Sequence, residues 1–368
     1  MTGQRFTFEK EGRSTLARER DTLLSRHRPV EPRLLLSMVY FRFSPMKFPK
    51  LVCAATRVVA GVFSLGLLAT TSLSAAKDGK LVVGFAQTGA ESAWRTANTQ
   101  SIRSEAEKRG IDLKFADGQS KQENQIRAVK SFVAQKVDYI VLAPIVETGW
   151  EPALREAKRA KIPVVIMDRE VKTDDESLYS CFVGSNFYEE GRMAADWLAE
   201  NAKGKTRIVE LQGEPGSAAA NERRKAFADA IAKHPEFKVI DSQSGNFRRS
   251  GGKEVMEAFL KKHGHDIEIV YSHNDDMALG AIQAIEEAGL KPGKDIIVVS
   301  IDALKEAIQA IVDGKLNCTV ECNPLFGPKI FDTIEQLKKG EKVPRKSYNK
   351  DELFDSSNAA ARVASRQY

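Results

Sequence analysis

Charged and amide side chains follow apolar runs at six places in this 368-residue chain. Gln87, Glu91, Trp94 and Arg95 come after the apolar run 81–86, and Asp168-Arg169 after 163–167. Arg223 lies in a helix-compatible segment after Gly213-Glu214-Pro215-Gly216. Asn274 and Asp275 follow 267–271, Asp302 follows 297–300, and Glu321 ends a strand-like run over 317–321. Carboxylates accept hydrogen bonds, arginines donate them, and an amide does both. A sugar hydroxyl also does both, so a mixed set of this kind matches a polyhydroxylated ligand. Trp94 adds a flat apolar surface for one face of a ring. Opposite charges within the set keep it from being strongly charged overall.

Other chemistries fit less well. Gly213-Glu214-Pro215-Gly216-Ser217 lacks the lysine of a phosphate loop, and no Gly-x-Gly-x-x-Gly follows the first apolar run. No Ser/His/Asp or Cys/His set falls at the ends of the runs. Asp168 and Asp302 could serve as a glycosidase pair, but a cation next to Asp168 favours an ionised acceptor over a general acid. No catalytic residue, cofactor or metal site is expected. Structural readings stand beside the binding ones. Asp275 and Asp276 suit a helix cap, which leaves Asn274 as the ligand candidate. Arg169 could pair with Asp168, and Glu91 with Arg95 four residues on. Trp94 suits a core as well as a ligand. Trp150 and Trp197 are assigned to packing, and His273 to structure.

These residues need elements that bring them together. From residue 81 onward, apolar strands alternate with helical segments. Strands are predicted at 81–86, 112–115, 139–143 and 163–167, with helices at 94–109, 122–135 and 151–160 between and after them. After a crossing near 182–185 the pattern restarts. Helices at 189–201, 218–233, 251–263 and 276–288 alternate with strands at 207–211, 238–241, 267–271 and 296–300. Parallel strands need helical crossovers, so the fold class is α/β, with two doubly wound Rossmann-like lobes. Ligands of such folds lie at the carboxyl ends of the strands, where the polar residues fall. The segment 317–321 and a helix to about 337 should return to the first half, so several strands would form the hinge and permit closure on a ligand. The expected lobes are 77–184 with 322–347, and 185–321. Residues 348–368 are expected as a C-terminal tail.

The net charge of +6 is misleading. Residues 1–76 carry twelve Lys/Arg and five Asp/Glu, a charge of +7, so the remainder is −1 and an acidic partner such as nucleic acid loses its support. Residues 46–76 read as a secretion signal. Lys47 and Lys50 give the basic start, an apolar stretch over 58–69 follows, and Ser74-Ala75-Ala76 supplies small residues for cleavage. The apolar stretch is shorter than the ~20 residues of a spanning helix. Residues 1–45 read as an over-extended start upstream of Met46. Of the four cysteines, Cys53 leaves with the signal. Cys318 and Cys322 would lie about 13 Å apart along a strand, beyond the ~7 Å a disulfide tolerates. Cys181 could pair with either of them.

The chain resembles the periplasmic sugar-binding proteins of ABC transporters, of the ribose-binding type with the type I periplasmic fold, and within them the galactofuranose-binding branch. The resemblance covers about 80–350. It is carried by Gly84-Phe85-Ala86-Gln87 with Glu91-Ser92-Ala93-Trp94-Arg95, and by Ala116-Asp117-Gly118-Gln119 with Lys121-Gln122-Glu123-Asn124-Gln125. Thr148-Gly149-Trp150-Glu151-Pro152, Met167-Asp168-Arg169, Val209-Glu210-Leu211-Gln212-Gly213 and Ser242-Gln243-Ser244-Gly245 add to it, as do the run 271–280 and Ser300-Ile301-Asp302. The resemblance implies that Glu91, Arg95, Asp168, Arg169, Arg223, Asn274, Asp302 and Glu321 hydrogen-bond a monosaccharide. It also implies a periplasmic monomer that docks on an ABC permease in the inner membrane. Two departures stand out. Many relatives place an asparagine where Phe187 falls, and a cysteine pair known in the second lobe of the subgroup has no counterpart between 182 and 317. Three alternatives use the same residues: a LacI-type sugar-responsive transcription regulator, a sugar sensor for chemotaxis or signalling, and a sugar-processing enzyme.

Overall fold

A computed structural model describes residues 79–368. The expected leader and signal over 1–76 lie outside the described residues. The first lobe runs β1 (Val82–Gln87), α1 (Ala93–Lys108), β2 (Asp112–Asp117), α2 (Gln122–Gln135), β3 (Tyr139–Leu142), α3 (Glu151–Arg159), β4 (Val164–Met167) and β5 (Cys181–Gly184). The second runs α4 (Phe187–Asn201), β6 (Arg207–Gln212), α5 (Ala218–Ile231), β7 (Lys238–Ser244), α6 (Arg249–His263), β8 (Ile269–Ser272), α7 (Asp275–Glu287), β9 (Ile297–Asp302), α8 (Lys305–Val312) and β10 (Cys318–Glu321). The chain ends with α9 (Gly327–Lys338), β11 (Lys346–Tyr348), β12 (Leu353–Asp355) and α10 (Ala359–Arg362).

Two six-stranded sheets result, ordered β11-β5-β4-β3-β1-β2 and β12-β10-β9-β8-β6-β7. Every pairing is parallel except β10 with β12. Strands covered on both faces read as continuous apolar runs, as in Tyr139-Ile140-Val141-Leu142, all four buried. In each sheet the order reverses beside its first strand, β1 or β6, and the polar residues follow the carboxyl ends.

Several expectations about the elements need correction. The crossing near 182–185 contains a full strand, β5, paired with β4 and β11. The run at 318–321 pairs with β9 in the second sheet, so it is α9, packed on α1, that returns to the first lobe. Residues 348–368 are no loose tail. β12 pairs with β10, and α10 packs on α8. The segment 305–312, left without an element, is the helix α8.

Glycine sets one spacing that matters for the site. A Cβ on Gly280 of α7 would lie 2.1 Å from the Arg249 carbonyl, and one on Gly252 of α6 would lie 2.3 Å from the Met277 carbonyl. The two helices approach backbone to backbone, which fixes the start of α7 against its neighbour. Phe227 stacks on Tyr271 at 3.7 Å between ring centroids, packing α5 against β8.

Candidate functional site

The carboxyl ends of the two sheets face each other across a narrow cavity of about 20 Å³. That is about the room of one water, so a larger ligand requires the lobes to part and close again around it. Helix α1 begins at its rim, where the Ser92 hydroxyl accepts from the Arg95 amide at 3.1 Å. This cap places Trp94 and Arg95 on the first turn and Glu91 just before it. Asp168 and Arg169 follow β4, with Asp168 in a left-handed conformation at φ 66°. From the second lobe, Arg223 arrives on α5, Asn274 precedes α7, and Asp302 ends β9 at φ 131°. Non-glycine residues held at such angles cost on the order of 1–3 kcal/mol each and cluster where function requires them.

Eight of the nine sequence-derived candidates line the cavity: Glu91, Trp94, Arg95, Asp168, Arg169, Arg223, Asn274 and Asp302. Glu321 does not. Its carboxylate turns away to Arg366 Nη1 at 2.8 Å and to the Tyr368 hydroxyl at 2.9 Å. The sequence reading missed Phe247 and Cys322 as lining residues and took Phe187 only as a departure from a pattern. Phe247 sits in an irregular loop at φ 60°, its ring packed where a Gly213 side chain would otherwise be. No periodicity marks such a residue.

The first lobe holds its charges in one network. Arg95 Nε lies 3.1 Å from Glu91 Oε1, and its Nη1 lies 2.7 Å from Asp168 Oδ2 and 3.2 Å from Gln87 Oε1. Arg169 reaches Glu91 Oε1 at 3.6 Å and donates to the Ile145 carbonyl at 3.3 Å, and its guanidinium lies 5.0 Å from the Phe247 ring centre. Its distance to Asp168 is 3.9 Å, so the expected Asp168–Arg169 pair is the looser of the contacts. Burial raises the Glu91 carboxyl, but Arg95 and Arg169 outweigh it and hold it below its ordinary value. Burial, and then Arg95, lower the Arg169 guanidinium.

In the second lobe Arg223 is fixed on three sides. Nε lies 2.7 Å from Glu190 Oε2, Nη1 donates to the His273 carbonyl at 2.6 Å, and Nη2 lies 3.6 Å from Asp302 Oδ1. Its guanidinium lies 5.1 Å from the Phe187 ring centre. Burial holds the Asp302 carboxyl well above its ordinary value although Arg223 opposes this. Among the described residues, three buried acceptors lack a hydrogen-bond donor: Glu91 Oε2, Asp168 Oδ2 and Glu190 Oε1. Asp168 Oδ2 is near Arg95 yet outside hydrogen-bond geometry. The first two of these residues line the cavity, so a ligand hydroxyl there would meet acceptors with unused capacity.

Residues 83–342 match the model of the periplasmic binding protein domain family. The chain belongs to that family. It is 54% identical over 269 residues to the galactofuranose-binding protein YtfQ of Escherichia coli, covering 72% of this chain and 85% of that protein. Among solved structures, the periplasmic binding protein component of the arabinose ABC transporter from Shewanella sp. ANA-3, bound to α- and β-L-arabinofuranose, is similar. It shares 51% identity at a TM-score of 0.76, over 78% of this chain and 95% of that one. A Mycobacterium smegmatis protein in complex with β-D-fucofuranose shares 50% identity at a TM-score of 0.76, with the same coverage.

In this periplasmic binding protein the start of α7 departs from the capping expectation. Asn274 is the cap: its Oδ1 accepts from the Met277 amide at 3.1 Å while its Nδ2 donates to the Phe247 carbonyl at 3.1 Å. Asp275 instead takes the hydroxyls of Ser300 and Thr319 and the Leu304 amide, and burial pushes its carboxyl up to about 7. Asp276 reaches the other lobe and accepts from the Ala93 amide at 2.7 Å. The lobes also meet where the Glu147 amide donates to the Gly216 carbonyl at 2.9 Å and Asn221 donates to Glu147 Oε2 at 2.5 Å. The chain is in a closed form. His273 is buried, hydrogen-bonded to Glu210 at 3.0 Å, in the structural place expected of it. Trp150 and Trp197 pack, as assigned, with their ring nitrogens donating to the Val146 carbonyl and to Asp355. Among the described residues, no cluster of His, Cys, Asp and Glu is placed to hold a metal ion, and no helix is long and apolar enough to cross a membrane.

Proposed function

We propose that this protein captures a monosaccharide in furanose form between its two lobes and delivers it to an ABC-type sugar importer. The observation that carries the reading is the cavity itself. Glu91, whose Oε2 lacks a donor, and Asp168 line it from the first lobe and Arg223, Asn274 and Asp302 from the second, with Trp94, Phe187 and Phe247 supplying flat apolar surface. Relatives at about half identity bind galactofuranose and arabinofuranose, which supports the ring form. Their role in import also favours a transport protein over a transcription regulator.

Function on this reading is affinity coupled to closure. A ligand that touches both lobes favours the closed form by its differential contacts, and that form docks on the permease. The protein acts as a monomer outside the cytoplasm, exported through the signal at 46–76. The site residues are the eight that line the cavity; Glu321 is withdrawn. A thermal-shift screen of the chain from about Lys77 against L-arabinose, D-galactose, D-fucose, D-ribose and D-fructose tests the reading, because a bound ligand raises the melting temperature by mass action. A rise with L-arabinose or D-galactose supports it. A flat response to every sugar overturns it.

A further inference from the structure

Glu321, the candidate that faces away from the cavity, shows how the site is held from behind. Its carboxylate is clamped by Arg366 and by the Tyr368 hydroxyl. Arg366 Nε also donates to the Ala303 carbonyl at 2.7 Å, and the Lys305 amide donates to the Tyr368 carbonyl at 2.5 Å. Residues 366–368 therefore strap together two turns on neighbouring strands, 302–305 after β9 and 321–322 after β10. Each turn carries a cavity residue next to its strapped residue, Asp302 beside Ala303 and Cys322 beside Glu321. The Cys322 carbonyl in turn accepts from Trp94 Nε1 at 2.5 Å.

The first turn needs such support. Asp302 has φ 131° and Ala303 has φ 56°, a pair that persists only where the surroundings over-determine it. The Ala303 and Leu304 amides are held by Thr319 and Asp275. The Ala303 carbonyl and the Lys305 amide are held by the strap. The Arg366–Glu321 pair is nearly out of solvent, with side chains 11% and 8% exposed, so its geometry is fixed more firmly than that of a surface pair.

We propose that Arg366 is a positioning residue for ligand binding, anchoring a strap that sets the Asp302 carboxylate and the Cys322 turn where the ligand meets them. The proposal rests on the sugar-binding reading. Arg366 acts through Asp302, so their effects on affinity must be coupled.

The test is a double-mutant cycle read by calorimetry with L-arabinose and D-galactose. Arg366→Ala is expected to weaken binding about tenfold and Asp302→Ala more. The double variant should bind no more weakly than Asp302→Ala alone. Arg366→Lys, which keeps the charge beside Glu321, should recover part of the loss. Full multiplication of the two single effects, or unchanged affinity in Arg366→Ala, overturns the proposal. Should Arg366→Ala fail to fold, Arg366→Lys and Tyr368→Phe carry the cycle: coupling to Asp302→Ala supports the strap, and its absence overturns it. If the unsubstituted protein binds neither sugar, the sugar reading falls, and this proposal with it. If Asp302→Ala alone binds normally, the carboxylate is no ligand and there is nothing to position.

Discussion

Asp276 Oδ2 accepts a hydrogen bond from the Ala93 amide at 2.7 Å, joining the first turn of α7 in one lobe to the first turn of α1 in the other. Both turns carry cavity residues, so one bond ties closure to the shape of the site. Asp276 is held in turn by Arg249 Nη2 at 3.4 Å. A hydrogen bond to a charged group contributes about 1.5 kcal/mol, or roughly a tenfold shift in the open–closed balance. Asp276→Ala should therefore weaken sugar binding by up to about tenfold. Small-angle scattering should show a larger radius of gyration without ligand than in the parent. Unchanged affinity and radius would remove Asp276 from the closure mechanism.

Asp168→Ala removes an acceptor of the cavity and leaves Arg95 with Glu91 and Gln87 as its polar partners. Affinity should fall by about a hundredfold or more, and the melting temperature should drop with the fold retained. Calorimetry with circular dichroism separates the two effects. Asn274→Ala should weaken binding as well, and its lost cap should cost about 1 kcal/mol of stability. Normal affinity in both variants would sink the site assignment.

Cys181, Cys318 and Cys322 are free and buried. Neither pairing that the sequence left open for Cys181, with Cys318 or with Cys322, forms, and Cys181 lies in the first sheet while Cys318 lies in the second. Burial pushes the Cys181 thiol up to about 11 and holds the other two well above their ordinary value, which keeps all three un-ionised and slow to react. The chain from Lys77 should show three thiols in denaturant and little labelling when native. Its melting temperature should not respond to reductant, and a clear drop on reduction would reveal a disulfide.

Most of the architecture could be read because parallel strands buried on both faces must be apolar throughout, and their helices must show one apolar side. Of the elements that were missed or misplaced, α8 and β5 do carry that pattern, with Ala307, Ile308, Ala310 and Ile311 buried on one side of α8, whereas the others do not. β11 and β12 have three residues each, and 302–305 owes its shape to a strap more than sixty residues away. The site was legible where a polar residue follows a strand within two residues, as at Asp168 and Asn274. It was not legible for Phe247, placed by a loop, nor for Glu321, whose partners Arg366 and Tyr368 lie in what looked like a tail.

Asp351 gives a pH dependence. Burial and then the charge of Glu190 push its carboxyl up to about 8, with the Ser185 hydroxyl donating at 3.2 Å. In the unfolded chain it titrates near pH 4. The folded state binds this proton more tightly, so the stability it contributes is full below about pH 4 and is lost as pH rises through about 8. Asp351→Asn should flatten the decline of melting temperature between pH 5 and pH 9. A variant that tracks the parent at both pH values contradicts the assignment.

The most direct test of capture between two lobes is titration of the chain from Lys77 with L-arabinose and D-galactose, followed by calorimetry and scattering together, in the parent and in Asp168→Ala. Saturable heat with micromolar or tighter affinity is predicted, with a radius of gyration that shrinks on saturation, both lost in the variant. Absence of heat with both sugars, or binding that survives Asp168→Ala unchanged, would contradict it.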